Sequence, residues 1–174
     1  MAVLPIVTYP DPRLMVKSSP VRIISMEIRK LLDDMVETMY AAPGVGLAAP
    51  QVGHNVRAIV VDISAQEEDS PGLIRLLNPE IIYSGGEQIG EEGCLSIPGF
   101  VSLVKRREKV RVKGLDEEGK YSEYDATGLL ARALQHEIDH IEGILFIDRL
   151  SRLKRGLFKK RIDKAFGKPN YAAF

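Results

Sequence analysis

Two histidines four residues apart, His136 and His140, enclose Glu137, Ile138 and Asp139. On an α-helix that spacing puts both imidazoles on one face, where they can converge on one metal ion with Glu137 beside it as a general base. Residues 129–141 have the apolar spacing for such a helix, preceded by Gly128 and closed by Gly143. A catalytic site of this kind needs three protein ligands and one open position. A third His ten residues after the first would complete one common arrangement, but Phe146 stands there. A downstream Glu would complete another, and no Glu follows Glu142. The remaining soft ligand is upstream. Cys94, the one cysteine, lies in Glu92-Gly93-Cys94-Leu95-Ser96-Ile97-Pro98, where glycine and proline argue for a shaped backbone rather than a regular ladder. A buried thiol is more often a small hydrophobe, but two converging histidines in need of a partner reverse that preference. The expected site is Cys94, His136, His140 and water.

The rest of the chain offers sheets to surround this helix. Residues 26–40 predict a first helix, with Ile28, Leu31, Leu32, Met35 and Met39 in one stripe, Ser25 as N-cap and Pro43-Gly44 as the stop. Residues 44–53 read as a glycine-rich loop and 67–72 as a polar surface loop. Residues 56–63, 73–83 and 100–114 are rich in apolar and β-branched residues, with turns at Gly85-Gly86 and 116–119. No repeat or linker divides the 174 residues. One α+β domain over 1–174 is expected, with mostly antiparallel sheets packed around a central metal-binding helix and helices near both termini. A hydrophobic fraction of 45% excludes a disordered chain. One cysteine excludes an intramolecular disulfide framework and suits a reducing compartment. No signal peptide and no membrane-spanning run is visible, so a soluble intracellular protein is expected.

The zero net charge conceals an asymmetry. Residues 149–174 carry nine Lys/Arg against Asp163, a net +8, which leaves −8 on residues 1–148. Leu150, Leu153, Leu157, Phe158 and Ile162 recur at helical spacing, so a basic helix over 149–166 with an apolar face to bury is expected. Its cations suit a solvated face or, alternatively, an anionic partner.

Residues 44–53 also match G-x-G-x-x-A, with Asp62 placed as a dinucleotide site would want it. The loop follows a helix, however, and Pro50 leaves no room for a crossover helix before the next strand. It is expected instead to bring backbone and the Gln51 amide close to a ligand.

Together, residues 44–53, 92–98 and 135–140 resemble, in order and spacing, the three motifs of the peptide deformylases. The resemblance implies removal of the N-formyl group from the N-terminal formylmethionine of nascent polypeptides. It implies that Cys94, His136 and His140 bind one divalent metal ion per chain, typically Fe(II), with Zn, Ni or Co as substitutes. Glu137 would take a proton from metal-bound water and return it to the leaving amine. The Gln51 amide and the Leu95 N–H would stabilise the oxyanion. Val45, Gly46, Leu129, Arg132 and Ala133 resemble the methionine pocket. Arg132 stands where the family usually has an apolar residue, its stem expected along the wall and its guanidinium in water. Glu92 and Arg106 match an ion pair bracing the Cys94 loop. His54 is expected at the surface, away from the metal. The resemblance further implies docking of the basic C-terminal helix on ribosomal RNA, through Lys154, Arg155, Lys159, Lys160 and Arg161. A monomer is expected, in a bacterial cytoplasm or an organellar matrix. Two rival readings are weaker. An endopeptidase lacks its downstream ligand, and a closed structural metal site would leave Glu137 without a role.

Overall fold

The computed structural model describes residues 2–168. The sequence positions 169–174, the end of the expected basic tail, lie outside the described residues. Among the described residues, three α-helices and seven strands follow in the order α1 (Met26–Ala41), β1 (Gly46–Ala48), β2 (Ala58–Val61), β3 (Ile74–Gly85), β4 (Gln88–Gly93), β5 (Val101–Arg106), β6 (Lys109–Leu115), β7 (Tyr121–Thr127), α2 (Gly128–Ile141) and α3 (Arg152–Phe166). Strands β1-β2-β3-β6-β7 form one sheet in that order, and β4-β5 form a separate ribbon. Every ladder between these strands is antiparallel. The fold is α+β, as expected.

Strand β2 explains the layering. All four of its residues are buried, because it has a helix on each face and alternate side chains enter different cores. Ile59 and Val61 join Leu76, Val112, Leu130, Leu134 and Ile138 beneath α2. Ala58 and Val60 join Leu32, Met35, Met39 and Leu77 beneath α1. The N-terminal helix begins as its sequence implies, with Ser25 Oγ accepting from the Ile28 N–H at 3.4 Å. Helix α2 is buried from Leu130 to Ile141. One side rests on the large sheet, and the other is bonded to the β4–β5 ribbon through Arg132, Gln135 and Asp139.

Several local expectations are corrected. Residues 44–53 are not loop throughout, since Gly46–Ala48 pairs with β2 and only then turns into a short 3-10 helix, Ala49–Val52. Residues 100–114 form two strands that belong to different sheets. Residues 92–98 begin inside β4 rather than in irregular backbone. Strands β4 and β7 escaped the sequence reading because QIGEEG is polar and low in intrinsic strand preference, and YSEYDAT interrupts its two tyrosines and threonine with Ser, Glu and Asp. Their ladders with β5 and β6 form them.

The apolar face of the basic helix is narrower than its spacing implied. Ile162 is fully buried, whereas Leu153 is 75% and Leu157 59% exposed. Phe158, Ile162 and Phe166 lie four residues apart in one line and face Phe100 and Phe146. Leu153 and Leu157 each lie one position back from that line, about 100° around the helix. Among the described residues no helix is long and apolar enough to cross a membrane.

Candidate active site

Three chain segments meet above the C-terminal half of α2. Cys94 follows directly on β4, His136, Glu137 and His140 come from α2, and Gln51 comes from the 3-10 turn after β1. Cys94 Sγ lies 3.2 Å from His140 Nε2, which lies 3.2 Å from His136 Nε2. The ligating atoms of all three fall within 4.8 Å of one another.

The chemistry of this donor set fits a cation. His136 Nδ1 sits 2.9 Å from Glu92 Oε2. Burial alone would raise the Glu92 carboxyl, but hydrogen bonds from His136 and Arg106 outweigh it and hold it at about 2. An ionised carboxylate only accepts, so a His136 proton is held on Nδ1, and once Nε2 gives up its own proton to an incoming cation its lone pair faces Cys94 and His140. Burial works against ionising Cys94 as well, yet the neighbouring His140 and His136 take its thiol well below the usual value. A thiolate and two imidazole nitrogens thus converge on one point, a set that can hold a single soft or borderline divalent ion.

Glu137 lies beside this point with Oε2 buried and without a hydrogen-bond partner among the described residues. Burial raises its carboxyl to about 7, against the opposing charges of His136 and His140. That is the range in which a carboxyl can both take and return a proton near neutrality. Its place depends on Gly46, where a Cβ would stand 2.4 Å from Glu137 Oε1. Gln51 is oriented from behind. Its Oε1 accepts from the Ala48 N–H at 2.8 Å, and its Nε2 is thereby turned toward Cys94 Sγ (3.6 Å) and Ser96 Oγ (3.2 Å).

A cavity of about 250 Å³ opens onto these groups. Every expected pocket residue lines it, namely Val45, Gly46, Leu129, Arg132 and Ala133, together with Gln51, Leu95 and Glu137. His54 is exposed and elsewhere, as expected. Glu92 and Arg106 pair at 2.8 Å.

The Arg132 guanidinium does not reach water. Its side chain is 8% exposed, and Nη1 donates to Glu92 Oε1 at 2.8 Å. The reason is electrostatic, because Glu92 and Asp139 are two buried carboxylates and Arg106 and Arg132 are the two buried cations that balance them. Asp139 and Arg149 escaped the sequence reading. Asp139 receives Arg106 Nη1 at 2.5 Å and Arg149 Nε at 2.9 Å. An acid on a helix buried on all sides was the available signal, since such a group requires a partner.

An α+β scaffold whose H-E-x-x-H helix and upstream cysteine can hold one metal beside a buried carboxyl defines a metallohydrolase. The family model described as "Polypeptide deformylase" matches residues 3–156. A peptide deformylase of Thermodesulfovibrio yellowstonii is 58% identical over 161 residues, covering 92% of this chain and 97% of that protein. The crystal structure of a peptide deformylase from Legionella pneumophila superposes with a TM-score of 0.85 at 48% identity, covering 94% of this chain and 95% of that one. A peptide deformylase from Ehrlichia chaffeensis in complex with actinonin superposes with a TM-score of 0.87 at 41% identity, covering 95% and 98%. The chain belongs to the polypeptide deformylase family, enzymes that hydrolyse the N-formyl group of formylmethionyl peptides.

Proposed function

We propose that deformylation takes place in the cavity above α2, at the convergence of Cys94, His136 and His140 beside Glu137. The carrying observation is that three ligating atoms lie within 4.8 Å while the neighbouring carboxylate oxygen has no partner among the described residues. In this reading Cys94, His136 and His140 hold one divalent ion, which when bound supplies Lewis-acid chemistry toward water and a carbonyl. Fe(II) is the cellular ion on grounds of family, and the thiolate with two imidazoles also suits zinc, nickel and cobalt.

Glu137 takes a proton from the attacking water and delivers it to the methionine nitrogen as the C–N bond breaks, leaving formate and a free amine. The Gln51 Nε2–H and the Leu95 N–H donate to the oxygen on which charge develops. Val45, Leu129, Ala133 and the Arg132 stem form the methionine wall, and turning the Arg132 guanidinium toward Glu92 keeps that wall apolar. Glu92 and Arg106 hold His136 in orientation. The protein acts on formylmethionyl peptides as a monomer in the bacterial cytoplasm, and the exposed cations of α3 dock it on ribosomal RNA.

Formate release from a formyl-Met tripeptide, with protein loaded with nickel or with iron under anaerobic conditions, tests this reading. Release is expected to vanish in Cys94→Ala along with the metal, and in Glu137→Ala with the metal retained. Near-normal turnover in Glu137→Ala would remove that residue from the proton transfer.

A further inference from the structure

We propose that Arg132 is a positioning residue that sets the spacing between the Cys94 thiol and the His136 ring, a role that rests on reading these two as metal ligands. Arg132 stands one turn before His136 on α2. Besides Glu92, its Nη1 donates to the carbonyls of Gly90 at 3.2 Å and Val104 at 3.1 Å, and its Nη2 reaches Gln88 Oε1 at 3.2 Å. Its acceptors therefore span both strands of the β4–β5 ribbon. One of them is the carboxylate whose other oxygen holds His136 Nδ1.

Cys94 and His136 come from different elements, so nothing local fixes their separation. Cys94 leaves the end of β4, and the Arg132 guanidinium joins the Arg106 bridge between Glu92 and Asp139 in tying β4 to the helix that carries the imidazoles. The ribbon is shaped to receive it, since a Cβ on Gly90 would lie 2.9 Å from Arg132 Nη2 and 3.0 Å from its Cζ. A lysine could not reproduce these bonds, because it lacks the planar fork that addresses several acceptors at once.

The test uses full-length protein loaded with Co(II), whose visible absorption reports ligand geometry, and the rate of metal loss to a chelator. Arg132→Met keeps the cavity wall and removes the fork. Gly90→Ala keeps the arginine and displaces it. Arg75→Met, which removes a surface cation paired with Asp33 and Glu117, is the control. In both site variants the Co(II) spectrum is expected to shift and metal affinity to fall about 10–100-fold, with kcat reduced more than KM is raised. The control is expected to match wild type in both.

Unchanged spectra and chelator rates in Arg132→Met and Gly90→Ala would overturn the proposal, whatever happens to their melting temperatures. If Arg132→Met does not fold, Gly90→Ala decides alone, because no buried charge is lost there. The metal readouts need no turnover. A wild-type chain that holds cobalt but releases no formate would sink the functional reading and leave the role of Arg132 standing or falling on its own spectra.

Discussion

Gly46 shows how one missing side chain can position a buried carboxyl. Its Cα runs past Glu137 so closely that an added Cβ would fall 2.4 Å from Oε1 and 2.8 Å from both Cδ and Cγ. Gly46→Ala is therefore expected to displace the Glu137 carboxyl while leaving Cys94, His136 and His140 in place. Displacements of the order of 1 Å at a reacting group cost about 10²-fold in rate. Steady-state kinetics should show kcat falling by that order with one metal still bound per chain, and loss of the metal instead would contradict the account. Gln51 illustrates the same economy. Its amide can present Nε2 to the site because the Ala48 N–H occupies Oε1.

Helix α2 is held on its polar side by ions. Asp139 accepts from Arg106 of β5, whose side chain is 3% exposed, and from Arg149 of the Phe146–Arg149 turn, which is 44% exposed. The two halves of this pair of bridges should differ in weight. Removing one partner of a buried pair strands a charge and costs about 3–5 kcal/mol, whereas a solvent-facing pair contributes about 0–1 kcal/mol. Urea unfolding is expected to show a large loss of stability in Asp139→Asn and a small one in Arg149→Met, and equal losses would refute this division. Both helices that pack on the large sheet were legible in the sequence because their apolar spacing is long and regular. Strands β4 and β7 were not, because each is polar and is a strand only by virtue of its partner.

The whole molecule joins an acidic body to a basic helix that is also part of its core. Ile162 is fully buried, Phe158 and Phe166 pack on Phe100, and Arg161 lies 5.8 Å from the Phe100 ring centroid. Deleting α3 would uncover that cluster and so confuse docking with unfolding. Lys159→Glu together with Lys160→Glu changes only exposed positions. This double variant is expected to keep formate release and melting temperature, to bind ribosomes more weakly, and to show a shallower dependence of binding on salt. Unaltered ribosome binding at low salt would remove α3 from docking.

What the sequence determined by itself was chemical and local. The H-E-x-x-H spacing, the one available thiol and the motif order pointed to Cys94, His136, His140 and Glu137, and the structure brings these side chains together, because a helix converts sequence spacing directly into geometry. The assignment of residues 100–114 to two sheets, the pairing of Gly46–Ala48 and the partial exposure of α3 required the tertiary structure. So did the direction taken by Arg132. Spacing placed it on the cavity side of α2, but a long charged side chain goes where its counter-charge is. That counter-charge, Glu92, lies 40 residues away in sequence and 2.8 Å away in space.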